Sequence, residues 1–373
     1  MSAGRRVKSA VRVKSAMRVK PAMRVKHEMC VMGENRVMHV LIMMCALGLM
    51  LASIVALSHT AFAQSTPGSA GGPSADRQQR HRIRLLFTGN TNGYIDPCDC
   101  GGALLGGLDH RAAAIRDIQD QNRPIILFDL GNVFEVPRGD EVTELWRRQS
   151  RYISSEMSGM DYEFMALGDD DLALEDAILT EYLPRLDFRP LLTNRTSEEA
   201  DLIETIPRIR IERGGLKLDF FNVVEPDLVA REGLLLPWRD ILTTRLRESE
   251  QGDDPADLQI VIAYVDWDVS EAMPEEFPEI DVIFNATWNH PRQGIRVGDS
   301  VAMTAQWRGQ SVAQLDLTSR SLASQESGRS AILGFQGRHI QLKQTADSDA
   351  SVYGRMTALI EQLRRDNLIP PGC

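Results

Sequence analysis

Two spacings of apolar residues run through this chain, and the switches between them lay out its elements. Ile83, Leu85 and Phe87 alternate with Arg82, Arg84 and Leu86, which is a strand signal. The run then breaks into Thr88-Gly-Asn-Thr-Asn-Gly93, a string of turn formers. Residues 108–121 read as a helix, because Ala112, Ala113, Ile115 and Ile118 gather on one side. Short apolar runs at 124–130, 163–167, 257–264 and 280–284 predict buried parallel strands. Helices are expected at 142–160 and 174–183, and a strand at 189–192 that ends in Thr193-Asn194. Residues 208–211 and 216–224, joined through Gly214-Gly215, read as a hairpin feeding a central strand. Two alternating strands are expected between 301 and 317, and one more at 337–343. A terminal amphipathic helix follows at 351–365, with Val352, Met356, Leu359, Ile360 and Leu363 inward.

Strands alternate with helices in the first half of the chain, and strands dominate the second. That order predicts an α/β sandwich, two sheets packed face to face between helices. The carboxyl ends of such strands are where this class places functional residues, and the strand that runs into the Gly/Asn loop at Thr88 offers the first of them.

The first 63 residues are of another kind. Residues 7–26 repeat a basic hexamer, VKSAVR, VKSAMR, VKPAMR, VK. The repeat is either an extended n-region or lies upstream of the true start at Met32 or Met38. An almost wholly apolar stretch, 37–57, precedes Ala61-Phe62-Ala63. A basic n-region, an apolar h-region and an A-x-A site make a secretory signal; the rival is a retained membrane anchor. Cleavage after Ala63 implies a periplasmic or secreted protein, with a Ser/Gly/Pro/Gln-rich linker at 64–80, a main domain at 81–325, and a C-terminal strand and helix at 326–373 packing on the same domain.

Charge narrows the partners. The chain carries 42 Lys/Arg and 52 Asp/Glu, a net −10. Removal of the first 63 residues takes away ten basic and two acidic residues, leaving a formal charge of −18. That excludes nucleic acid as a partner, since phosphate backbones need basic surface. Membrane contact is expected only through an uncleaved signal.

The motif Leu86-Phe87-Thr88-Gly89-Asn90-Thr91-Asn92-Gly93, with Gly106-Gly107-Leu108 after it, resembles the opening of the calcineurin-like metallophosphoesterases of the 5'-nucleotidase type. In that family a strand leads into T-N-D-x-H-G, and G-G-L opens the first helix. The resemblance spans roughly residues 83–317 and implies a four-layer metallophosphoesterase-like sandwich, two mixed β-sheets flanked by helices. It extends to Pro190-Leu-Leu-Thr-Asn194 and to Gly214-Gly-Leu-Lys-Leu218. The family's reaction uses two metal ions that activate water and clamp phosphoryl oxygens.

Carried over motif by motif, the ligands are substituted. The family's Asp and His fall on Asn90 and Asn92, and its bridging Asp falls on Asn132. Its Asn and acid-like His fall on Asp169 and Asp170, and a later His on Val265, or on Asp266 with a one-residue slip. Its final pair falls on Thr287 and Asn289, with His290 one place late. Neutral amides ligate hard cations but do not neutralise two adjacent divalent ions. No cofactor is therefore expected. The alternative is one Ca²⁺ or Mg²⁺ in a rebuilt site drawn from Asp129, Asp169, Asp171, Asp266 and His290.

Three cysteines, Cys98, Cys100 and Cys373, follow the signal. Pro97-Cys-Asp-Cys100 resembles a P-C-G-C insertion in some exported members of this superfamily. A disulfide over one residue is strained and easily reduced, so a structural clip, including one to Cys373, and a thiol-redox or metal-handling role both stand.

The sequence thus supports an exported pseudoenzyme that binds a small molecule or partner protein it does not name. The alternatives are a metal-dependent phosphoesterase with a rebuilt site and a protein acting through Cys98 and Cys100. Intact-mass measurement of exported protein should give a chain beginning at Gln64; a full-length chain retained in membranes would favour the anchor instead.

Overall fold

A computed structural model describes residues 80–369, apart from 100–102, 138–141, 175, 187, 197–203, 288–290 and 321–330. The signal segment, linker residues 64–79, Cys100, Trp288, Asn289, His290 and Cys373 lie outside the described residues. The first half runs β1 (Arg80–Thr88), β2 (Pro97–Asp99), β3 (Leu104–Gly106), α1 (Leu108–Gln119), β4 (Ile125–Asp129), α2 (Glu144–Ser158), β5 (Phe164–Ala166), α3 (Asp169–Leu172), α4 (Asp176–Tyr182) and β6 (Arg189–Leu191). The second half runs β7 (Ile209–Arg213), β8 (Leu216–Val224), α5 (Trp238–Gln251), β9 (Leu258–Tyr264), α6 (Trp267–Glu276), β10 (Val282–Asn285), β11 (Ile295–Val297), β12 (Ser300–Thr304), β13 (Ser311–Arg320), β14 (Ile332–Gln341) and α7 (Ala350–Arg365).

Two six-stranded mixed sheets result, ordered β14-β13-β1-β4-β5-β6 and β11-β12-β10-β9-β8-β7. Each has a parallel centre with antiparallel pairing at its flank: β1, β4, β5 and β6 are mutually parallel, as are β8, β9, β10 and β12. β13 and β14 extend the first sheet antiparallel to β1, so the chain's last strand belongs to the sheet its first strand begins. The small β2–β3 hairpin joins the end of β14 through a Leu105–Lys343 bridge.

The inner faces of the sheets meet through phenylalanines. Phe128 lies 5.7 Å from Phe87 and 5.0 Å from Phe164 on its own sheet, and 5.3 and 5.5 Å from Phe220 and Phe284 on the other. All five are fully buried. Offset and edge-on ring pairs at these spacings add to the burial term. On the outer face of the second sheet, Phe221, Val223, Val261, Ala263 and Ile283 pack against Trp238, Leu242 and Leu246 of α5 and Trp267 and Met273 of α6. Both faces of β9 are therefore covered, which is why it reads as an unbroken apolar run.

The helix caps follow from local chemistry. Thr143 accepts from Trp146 N at the start of α2, and Asp349 accepts from Ser351 N and Val352 N at the start of α7. Within the first sheet Arg84 stands opposite Asp316 of β13, and its Nε and Nη2 donate to that carboxylate at 2.7 and 3.0 Å.

Strands dominate the second half as expected, but α5 and α6, which cover the second sheet, were not expected. The face of α5 is carried only by Trp238, Leu242 and Leu246, and α6 contains Pro274, so neither shows a strong helical period. The helix expected at 174–183 starts earlier, at Asp169, and is broken into α3 and α4.

Replacing Phe128 by Ala should cost about 3–5 kcal/mol, the usual range for emptying a buried aromatic position. Phe128→Leu should recover more than half of that. Urea unfolding of the three proteins measures both, and an Ala variant as stable as the parent would remove the ring cluster from its proposed place at the centre of the core.

Candidate functional site

The carboxyl ends of β1, β4, β5, β9 and β10 converge on one rim, and the loops leaving them are built on asparagines. Asn90, Asn92 and Asn132 have φ of 50°, 47° and 54°. Left-handed backbone is costly for most side chains and least so for Gly, Asn and Asp, so these loops favour Asn for local reasons alone. The β1 loop is laced to the β4 loop by backbone bonds from Asn90 N, Asn92 N and Gly93 N to the carbonyls of Gly131, Asn132 and Val133, all at 2.8–2.9 Å.

The side chains then join directly. Asn132 Nδ2 donates to Asp169 Oδ1 at 2.9 Å and to Asn90 Oδ1 at 3.3 Å. Asn132 Oδ1 accepts from Asp170 N at 3.0 Å, and Asn92 Nδ2 donates to Asp170 Oδ2 at 2.9 Å. Gly168 must be glycine, because a Cβ there would lie 1.9 Å from Asn132 Oδ1. Five of the singled-out positions, Asn90, Asn92, Asn132, Asp169 and Asp170, thus form one network. Val265 and Thr287 form a second, in which Thr287 Oγ1 and Asn285 Nδ2 both donate to Val265 O. Asn90 Nδ2 reaches that side through Ala286 O at 2.9 Å.

The carboxylates expected to rebuild a metal site are dispersed in role. Asp129 is buried; it accepts from Thr88 Oγ1 at 2.5 Å and Gly131 N at 2.8 Å. Asp171 is buried and accepts from Asn132 N, Gly168 N and Val133 N at 2.6, 3.0 and 3.1 Å. Asp266 is exposed at the start of α6. Cys98 lies on β2, which pairs with β3 just before α1.

The described residues of the rim do not fit a pair of bridged divalent ions. Amide N–H groups of Asn132 and Asn92 point at the oxygens that would ligate them, and both oxygens of Asp129 and Asp171 serve the protein's own donors. Among the described residues, no three His, Cys, Asp or Glu side chains are grouped to hold a metal.

Electrostatically the rim is acidic. Burial raises the Tyr264 hydroxyl well above its ordinary range, and Asp171, Asp169, Asp129 and Asp170 push it further. That hydroxyl donates to Leu130 O at 2.6 Å, tying the second sheet to the first. A compensating cation is Arg111 on α1. It is 1% exposed, and its Nη2 donates to Thr91 Oγ1 at 2.9 Å. Burial raises the Asp129 carboxyl, and the Arg111 charge, Thr88 and Gly131 N each draw it back. The signal for Arg111 was its spacing from Ile115 and Ile118, which puts it on the buried side of α1.

Two further asparagines brace the rim: Asn222, not singled out in the sequence, and Asn194, which ends Pro190-Leu-Leu-Thr-Asn194. Asn222 Nδ2 bridges Leu167 O and Leu191 O, and Asn194 Nδ2 bridges Val224 O and Leu236 O. Asn194 is fully buried, so its N-x-T match offers no acceptor for a glycan in the folded protein. Buried Asn pairs well with sheet-end carbonyls, but only three-dimensional proximity reveals which carbonyls are free.

No protein-family model matches this chain. No curated protein sequence matches it. Solved structures do. A 5'-nucleotidase precursor from Thermus thermophilus superposes with a TM-score of 0.63 at 14% identity, over 76% of this chain and 59% of its own. The sulfate thiohydrolase SoxB of Thermus thermophilus gives 0.63 at 14%, over 78% of this chain and 62% of its own. The calcineurin-like phosphoesterase YfkN of Bacillus subtilis gives 0.58 at 14%, over 78% of this chain and 98% of that one. The chain therefore has the α/β sandwich fold of these proteins, and spans about three fifths of the length of the first two.

The rim makes stability depend on pH. Burial lifts the Asp171 carboxyl to about 7 against its three N–H donors, whereas its ordinary value is 3.8. Between those values the folded chain keeps a proton that the unfolded chain has lost. Stability should therefore fall as pH rises through this window, by up to ~1.4 kcal/mol per pH unit, and level off above the folded value. Asp171→Asn should show a shallower fall, the rest coming from Asp281, which burial also lifts to about 7, and from Asp129 and Asp170, which burial also raises. Urea midpoints of both proteins across the window test it, and parallel curves would refute it.

Proposed function

We infer that this chain, which carries the fold of the 5'-nucleotidases and calcineurin-like phosphoesterases, is an exported, non-hydrolytic member of that structural class, a ligand- or partner-binding protein. The observation that carries the reading is the Asn132 amide, donating to both Asn90 and Asp169 where the resemblance puts a bridging carboxylate between metals. A neutral amide whose hydrogens face the neighbouring oxygens is a substitute for the metal charge, not a ligand to it. Without metals, the acidic rim disfavours a bare phosphate and suits a neutral or cationic polar ligand.

Hydrolysis in this class would need developing charge to be met by metal or imidazole. Val265 and Thr287 provide neither, and Asp170 stands where the resemblance puts an acid-like His. Burial and Asp169 raise the Asp170 carboxyl, while the bond from Asn92 lowers it. Export rests on the apolar segment and A-F-A site. The rebuilt single-cation site and the thiol role of Cys98 and Cys100 remain the competing readings. Elemental analysis and non-reduced peptide mapping of the exported protein separate them.

The purified protein should not hydrolyse nucleoside monophosphates or aryl phosphates above background with Mn²⁺, Zn²⁺, Mg²⁺ or Ca²⁺ supplied. The triple variant Asn90→Asp, Asn92→His, Asn132→Asp should bind metal more tightly yet turn over poorly, because Val265 and Thr287 still contribute no imidazole. Metal-dependent turnover by the unmodified protein that is abolished in Asp169→Ala would overturn the non-hydrolytic reading.

A further inference from the structure

A cavity of about 580 Å³ lies where β1, β13, β14 and the turn before β4 meet, at the opposite end of β1 from Asn90. Its wall is made of cross-strand rows: Arg82, Thr318 and Gly334; Ile83, Leu317 and Phe335; Arg84, Asp316 and Gln336. Arg123 and Pro124 close one side. The volume falls within the range of small-molecule sites, roughly 300–1,000 Å³.

Three guanidinium groups face this space with a single carboxylate among them. Arg84 is saturated: Nε and Nη2 donate to Asp316, and Nη1 donates to Gln121 Oε1 at 2.7 Å. Asp316 also receives Gln314 Nε2 at 2.9 Å and Arg123 Nη1 at 3.4 Å. Arg123 is half-exposed, and Arg82 is exposed with no side-chain partner among the described residues. Burial alone would raise the Asp316 carboxyl, but Arg84, Gln314 and Arg123 outweigh it and hold it below the ordinary range. The local field is positive in a chain whose net charge is −10.

Gly334 supplies an independent sign. It sits inside a ten-residue strand, where glycine costs stability and packs nothing. Among the described residues, a Cβ built there meets no atom within 4 Å, and its φ is one that other residues adopt. Crowding does not require glycine at this position, although the register shift opposite Thr318 and Ser319 adjoins it. The effect of Gly334 is to leave the space over the β14 backbone open, next to two arginines with donors to spare.

We propose that this cavity binds a small organic anion, its carboxylate or sulfonate held by Arg82 and Arg123 and its apolar body lying over Gly334 against Thr318 and Pro124. Planar guanidinium donors suit such groups because two N–H bonds form at once. The site is separate from the asparagine rim and does not depend on what that rim binds.

Fluorescence titration of the exported protein with 1-anilinonaphthalene-8-sulfonate, and with its uncharged counterpart N-phenyl-1-naphthylamine, tests the proposal. The sulfonate should bind saturably at one site, and the uncharged compound at least tenfold more weakly. Arg82→Gln with Arg123→Gln should weaken sulfonate binding at least tenfold while leaving the Arg84–Asp316 pair and the melting temperature unchanged. Gly334→Leu, which fills open space, should abolish it. Absence of saturable binding, equal binding of the two compounds, or sulfonate affinity unchanged in the arginine variant would each overturn the assignment.

Discussion

Everything else in this molecule depends on two sheets being held face to face, and the contact that holds them is aromatic. Phe128 is central to it, touching two rings of its own sheet and two of the other. Aromatic rings bury large apolar areas with little side-chain entropy to lose, and their pairing fixes separation as well as affinity. With the sheets at that spacing, the carboxyl ends of β1 and β4 come level with those of β9 and β10. Only then does Tyr264 reach Leu130, and Asn90 reach Ala286.

The rim built on that frame is closed by amides. Asn90, Asn92 and Asn132 accept left-handed backbone; their amides bond to one another and to the two half-exposed aspartates, while Asn92 Oδ1 is buried without a partner among the described residues. Each amide offers both donor and acceptor, so neutral side chains can bridge the two loops and the aspartates. The buried charges are handled separately: Arg111 stands beside Asp129, and Asp171 is wrapped by backbone N–H groups. Asp129 and Asp171 thereby serve the loops that carry the rim, positioning them as much as charging them.

The strands of the first half were legible because burial on both faces leaves no polar positions, as in Ile125–Asp129, and because each ends at a Gly/Asn turn. The rim asparagines were legible because they follow strand ends at fixed short distances. α5 and α6 were not legible. A helix that covers a sheet needs only a narrow apolar stripe, and Trp238, Leu242 and Leu246 supply one without marking the residues between them. Pro274 in α6 argues locally against the helix that tertiary packing of Trp267 and Met273 stabilises.

Sequence alone determined the order of the longer strands, the placing of asparagines at the ends of the first two long parallel strands, and the acidity of the chain. These follow from local periodicity and turn chemistry, which act over a few residues. Tertiary structure decided which charges are hidden and what they face. Arg84 meets Asp316 across 232 positions of chain and Arg355 meets Glu156 across 199, while Arg82, two residues from Arg84, is left open to an anion. No local pattern separates those arginines, because whether a charge is paired, buried or free depends on neighbours brought to it by the folding of distant strands.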